Sequence, residues 1–375
     1  MSEPSQQGPW QLRWHPSEEP QPAPADEKIR LQSLAENRIA SAAQVVREGC
    51  EALLPWVYQQ AADWTWVAAR RDLARILERV ARMHGWRGTV ATWLANLDQL
   101  CRLRTMDAGG VSARAGLAEE LGLWLGGADE MRPDKPGWDG VPGSPGCRIP
   151  DRAACAKGPA AQLEHGEVIG VHGDSETVEL ALLEAQAMGL APTAFVSQGG
   201  PELGGRRLAT RLAEAGVRVH FFYDCGLLER LSHVDRMWLG TEAVGAESFV
   251  AVVGTRALLE SAERLEIPRT LLATSDSWMP EGELKLPEWG TADTWLLWER
   301  APMGVEVECQ PLETVSLSLM NQISDEHGLG RPSDLALRAL KTRPPVAVIP
   351  FQPFDPTTRR AELTHSRSQH QDLHI

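Results

Sequence analysis

Across residues 28–127, apolar side chains recur three and four positions apart. In "IRLQSLAENRIASAAQVVREGCEALLPWVYQQ", Leu31, Leu34, Ile39, Ala42, Val45 and Val46 fall on one helical face. "ARRDLARILERVARMHG" repeats the pattern and ends at a glycine suited to a helix C-terminus, and "TVATWLANLDQLCRL" and "VSARAGLAEELGLWLGG" follow. Residues 28–127 are therefore expected to form an all-helical unit. Residues 128–157 are crowded with Pro, Gly and Asp and predict a linker. The period then changes: short apolar runs at 168–172, 193–197, 217–222, 236–240 and 270–274 predict strands. "TVELALLEAQAMG", "GGRRLATRLAEAG" and "GTRALLESAERLE" predict amphipathic helices between them. That alternation predicts an α/β domain over 158–341 with a mostly parallel sheet flanked by helices. "LETVSLSLMNQISDEHG" and "RPSDLALRALK" are read as two last helices. Residues 1–27 and 342–375 are Pro-rich or polar and predict tails without a core.

Composition narrows the function classes. Hydrophobic residues make up 43% and charged residues 23% of the 375, a balance expected of a globular chain long enough for two domains. The formal net charge of −14 argues against nucleic acid as a partner. No apolar run is long enough to span a bilayer, and the N-terminus lacks the apolar stretch of a signal peptide, so a cytoplasmic location is expected. The six cysteines, at 50, 101, 147, 155, 225 and 309, have no metal-binding spacing and are read as reduced, mostly buried thiols. His365, His370 and His374 are read as part of a polar tail, and neither metal nor cofactor is expected.

The stretch "VIGVHGDSETVELALLEA" is where strand, tight turn and helix start coincide. Ser175 as a nucleophile would need a base and an oxyanion hole, and the tail offers only Asp372 and His374 in "QDLHI", at the wrong spacing for a catalytic Asp-x-x-His element. As a phosphate cradle the turn has the positive end of a helix dipole, yet Asp174 and Glu176 already complement it. A helix cap at Asp174 or Ser175 is the simplest reading.

The ordered series "AAQLEHGEVIGVHGDS", "GPELGGRRLATRLAEAGVRVHFFYDCG", "VDRMWLGTEAV", "VVGTRALLESAERLEIPRTLLAT" and "CQPLETVSLSLMNQISDEHGLGRPSDLALRAL" resembles the initiation factor 2B alpha/beta/delta family. That family includes regulatory subunits of the translation factor and two sugar-phosphate isomerases, for methylthioribose 1-phosphate and ribose 1,5-bisphosphate. The resemblance implies a helical N-terminal domain, a Rossmann-like domain of the NagB/RpiA/CoA transferase type, and a homodimer. It places a ligand pocket at His172, Gly173, Asp174, Ser175, Gly200, Asp224, Glu242, Gly254 and Thr255. Structural roles compete at each: glycines for turns, Asp224 and Thr255 for capping. The isomerases carry a cysteine at the position of Gly173, an aspartate at that of Glu242 and a lysine at that of Val252; Arg-Pro becomes Gly200-Pro201. No lysine occurs between Lys157 and Lys285, and Arg206 and Arg207 sit where solvent-facing positions of a helix are expected. The pattern is most similar to the regulatory alpha-type subunits, and implies a non-catalytic binding or regulatory protein with a vestigial pocket. A sugar-phosphate or nucleotide ligand and a regulatory protein partner remain compatible with it. The alternative is an aldose-ketose isomerase with Glu242 as general base.

Overall fold

The computed structural model describes residues 27–37, 41–85, 87–106, 111–126, 151–279, 282, 284, 286, 294 and 296–334. The expectations for 1–26, most of the linker, and 335–375 fall outside them. Five helices come first: α1 (Glu27–Glu36), α2 (Ala42–Gln59), α3 (Trp66–His84), α4 (Gly88–Met106) and α5 (Ala113–Gly126). What reads in sequence as one long helix is α1 and α2, because Ser41 is extended and its side chain accepts the Gln44 N–H, starting a new helix. Thr65 caps α3 in the same way through Ala68 N–H. The predicted apolar face is the packed one: Leu31, Leu34, Val45, Leu53, Leu73, Leu77 and Leu97 are buried around Trp93.

Residues 152–157, read as the end of the linker, instead open α6 (Arg152–Ala161), which Asp151 caps through Ala154 N–H. The main sheet then follows with β1 (Val168–His172), α7 (Glu176–Ala187), β2 (Thr193–Ser197), α8 (Gly204–Glu214), β3 (Arg218–Phe222), α9 (Asp224–Glu229), β4 (Arg236–Leu239), β5 (Ala243–Val244), β6 (Ser248–Val252), α10 (Thr255–Arg264) and β7 (Arg269–Leu272). After these come β8 (Leu312–Ser316), β9 (Gln322–Asp325) and β10 (Gly328–Gly330). Seven strands pair in the order β10-β9-β7-β4-β1-β2-β3, parallel throughout except for β10 against β9. Strand β5, β6 and β8 form a small antiparallel sheet.

The helix predicted over 312–328 is not formed. Its residues make β8, a 3₁₀ turn at Leu317–Leu319, and β9. Leu312, Val315 and Leu319 have helical spacing, but such a short apolar run fits either period. Tertiary pairing decides here: Val315 is buried opposite Phe249 of β6, and Ile323 opposite Leu271 of β7. Ser316 accepts the Ser318 N–H, which turns the chain between the two strands.

Strand alternation sorts the core into two layers. Ile169, Val171 and Trp238 pack with α6, α7 and α8 through Cys155, Leu182, Leu208 and Leu212. Met237 and Leu239, flanking Trp238, point the other way and meet Phe249, Leu258 and Leu271. Four of the cysteines, at 50, 101, 155 and 309, are buried and Cys225 is exposed. Among the described residues no helix is long and apolar enough to cross a membrane.

Candidate functional site

Strand order reverses direction between β1 and β4, so the loops leaving their C-terminal ends diverge and open a crevice, the position where open parallel sheets bind ligands. A cavity of about 120 Å³ lies there. Its walls include His172, Gly173, Asp174, Ser175, Gly200, Glu242 and Thr255, so the topology brings together seven of the nine residues singled out in sequence. Asp224 and Gly254 lie behind them, within reach of His172.

His172 ends β1 with a buried side chain. One ring nitrogen, Nε2, lies 3.0 Å from the Val253 carbonyl, and Nδ1 lies 2.5 Å from Ser197 Oγ. A carbonyl only accepts, so Nε2 carries the proton and Nδ1 accepts the Ser197 hydroxyl. Burial lowers the imidazole pKa, opposed by the Val253 bond and the charge of Asp224, and keeps the ring neutral. Both nitrogens are thus committed, Nδ1 tying the end of β1 to β2 and Nε2 tying it to the turn after β6. Ser175 Oγ accepts the Val178 N–H and meets Thr177 Oγ1 at 3.0 Å, which makes it the cap of α7 and leaves no histidine to activate it.

Gly173 needs its lack of a side chain twice over. Its φ of +82° lies in the left-handed region, and a Cβ there would sit 2.9 Å from Val252 Cγ2. Asp224 and Thr255 are not caps. The Asp224 carboxylate accepts the N–H groups of Gly199 (2.8 Å) and Gly200 (2.9 Å), fixing the loop after β2, while Tyr223 takes the N-cap position of α9. Thr255 Oγ1 donates to the Val252 carbonyl at 2.6 Å, and Gly254, at φ +98°, takes the N-cap position of α10.

Three arginines line the cavity: Arg87, Arg152 and Arg207. Each faces a carboxylate. Arg207 Nε lies 3.3 Å from Asp174, which also accepts from Arg211 at 2.8 Å. Arg152 lies 3.6 Å from Glu176 and 3.4 Å from Asp276. Arg87 Nε lies 3.7 Å from Glu242 Oε2, beyond hydrogen-bond reach. Arg206 and Arg207 are both exposed, as their helical positions lead one to expect, and Arg207 also lines the cavity. A fourth acid, Glu202, completes the wall; burial pushes its carboxyl up to about 7, with Glu242 adding to the rise and Arg87 and Arg207 opposing it. Glu202 Oε1 and Glu242 Oε2 are buried atoms without a hydrogen-bond partner. Among the described residues, no group of three or more His, Cys, Asp or Glu side chains is placed to hold a metal ion.

Sequence reasoning missed Arg87, Arg152 and Glu202. Glu202 was visible only as the acid in Pro201-Glu202-Leu203 ahead of a predicted helix. Arg87 arrives from the helical half, where Gly88 N–H bonds the Glu242 carbonyl at 2.8 Å, and nothing local marks it.

Residues 151–285 match the initiation factor 2 subunit family. Over that segment the chain is similar to that family. The matched segment contains every residue of the cleft named above except Arg87. Among curated proteins, none matches the chain in sequence. Solved structures extend the likeness to the helical half and share the fold. The translation initiation factor eIF-2B of Pyrococcus horikoshii OT3 superposes with a TM-score of 0.64 at 16% identity, covering 84% of this chain and 100% of that one. The 5-methylthioribose 1-phosphate isomerase of the same organism gives a TM-score of 0.65 at 14% identity over 85% and 88% of the two chains. A tetrameric eIF2B beta2-delta2 complex from C. thermophilum gives 0.55 at 13% identity over 84% and 95%.

Proposed function

We propose that this chain is a binding or regulatory protein of the initiation factor 2B type that does not carry out the sugar-phosphate isomerase reaction. The observation that carries the reading is the contact between Gly173 and Val252. The resemblance assigns the isomerases' cysteine to the first position and a lysine to the second. Here the valine methyl occupies the space beside a glycine on which a Cβ would sit at 2.9 Å. Loss of the thiol and loss of the ammonium group are thus one packed arrangement, with a hydrocarbon side chain filling the space. The remaining acid, Glu242, faces Arg87 and has no thiol opposite it with which to exchange protons.

The test is ketose formation from 5-methylthioribose 1-phosphate and from ribose 1,5-bisphosphate, followed with the full chain. No product is expected from either. Turnover that disappears in Glu242→Gln would overturn the proposal and establish the isomerase alternative.

The same reading includes a homodimer, supported by strand β3. It is an edge strand of a parallel sheet, and such sheets normally keep their strands covered. Phe221 is 45% exposed, Tyr223 67% and Leu228 38%, beside the exposed His220 and the half-buried Phe222, both of which meet the Phe195 ring at a tilt. Phe221→Asp with Tyr223→Asp is expected to convert a dimer to a monomer in light scattering coupled to gel filtration. A wild-type monomer, or an unchanged variant mass, would count against this surface.

A further inference from the structure

The charge pattern of the cleft points to a ligand class other than the phosphorylated sugars its fold brings to mind, and this inference rests on the non-catalytic reading above. We infer that the cleft takes a small polyhydroxylated ligand that is neutral or bears an amine, bound through its O–H and N–H groups to Glu202 and Glu242.

Four carboxylates line the cavity, on Asp174, Glu176, Glu202 and Glu242, against the three guanidinium groups of Arg87, Arg152 and Arg207. A bound phosphate needs cations in excess of the carboxylates already there, because its desolvation must be offset by fixed positive charge. Here each arginine stands opposite at least one acid, and Arg152 opposite two. The polar atoms of the cleft shielded from water without a hydrogen bond are two acceptors, Glu202 Oε1 and Glu242 Oε2, and one donor, Arg87 Nε, which stands 3.7 Å from Glu242 Oε2, so acceptors are in excess. An unpaired buried acceptor is destabilising, a cost that a ligand hydroxyl or ammonium removes on binding and a phosphate oxygen increases.

The floor of the cleft fits the same chemistry. The N-terminus of α7, where a phosphate would be drawn, is already occupied by Glu176 in its first turn and by the Ser175 cap. His172 is neutral and has both nitrogens engaged, so it adds no charge.

Protonation gives the inference a sign. Glu202 is faced by Arg87 from the α3–α4 junction, by Arg207 of α8 and by Glu242 from the loop after β4, and its carboxyl titrates at about 7. A ligand that donates hydrogen bonds favours the ionised form and binds more tightly as pH rises. An anion favours the protonated form and binds more weakly as pH rises.

The experiment is calorimetric titration of the full chain with 1-amino-1-deoxyribitol, ribitol and ribose 1-phosphate from about pH 6 to about pH 8. The amine is expected to bind best, with an affinity at least about tenfold above that of the phosphate and rising about tenfold over that range. Glu202→Gln is expected to remove the pH dependence, and Glu242→Gln to weaken the amine without reversing the order; thermal melts of both report whether they fold. Tighter binding of the phosphate, an affinity that falls with pH, or no binding of any probe would overturn the inference. None of these outcomes bears on turnover: ketose formation in the separate assay would overturn the non-catalytic reading instead.

Discussion

Gly205→Ala is expected to destabilise the protein by about 3 kcal/mol, more than any surface substitution could. A Cβ at this position would lie 1.8 Å from the Ser197 carbonyl oxygen and 2.9 Å from its carbon. Both are backbone atoms of β2, so no side chain can swing aside to make room. Ser197 is fully buried and its hydroxyl holds His172, so the strain would pass directly to the floor of the cleft. Gly122→Ala supplies the opposite control: that glycine lies inside α5 with nothing within 4 Å of its added Cβ, and alanine there should gain about 0.5–1 kcal/mol from helix propensity. Urea denaturation of both variants would decide. Equal stability of Gly205→Ala and wild type would show that α8 does not seat against β2 as described.

Glu202→Gln should change the shape of the stability–pH profile. In the unfolded chain this carboxyl titrates near the ordinary value of 4.5, and in the folded protein near 7. Between those values the folded state keeps a proton that the unfolded state releases. Wild-type stability therefore declines as pH rises through that window and levels off above it. The ionised, buried carboxylate costs about 3 kcal/mol once the window is crossed. Glutamine keeps the shape and never ionises, so the variant should match the wild type near pH 5 and exceed it by that amount at about pH 8. Denaturation midpoints at several pH values measure the difference. Parallel profiles would mean that solvent or Arg87 already neutralises the group.

What could be read from the chain beforehand depended on how local the cause was. Strand β1 is a run of apolar residues followed by Gly-Asp-Ser, and Ser175 precedes Glu176 and an apolar helix, so both the strand and the cap were legible. The strand pairing of β8 with β6 was not, since Leu312 and Val315 have the spacing of a helix and only Phe249, some sixty-six residues earlier, makes them a sheet. Asp224 was read as a cap because it opens a helix; its bonds to Gly199 and Gly200 depend on how closely β2 and β3 run side by side. The glycine at 173 was identified as a missing thiol, but that Val252 fills the gap required both turns to be placed in space. Charges were the least legible. Arg207 and Glu202 flank one end of α8, and their orientation toward the cleft follows from the left-handed Leu203 that starts that helix, a conformation no residue type there announced.

The junction between the helical half and the sheet has a consequence for inheritance. Gly88 bonds Glu242, Thr92 donates to the Asp276 carbonyl, and Arg87 stands over the carboxylates of a domain that begins more than sixty residues later. A segment recognisable as a family unit in sequence therefore carries only part of its own binding wall. Exchange of residues 151–285 between relatives would transplant the turns and the acids while leaving the arginine behind. Descent with recombination should accordingly keep the two halves together, and drift in the helical half can retune the cleft while every residue of the recognisable domain stays unchanged.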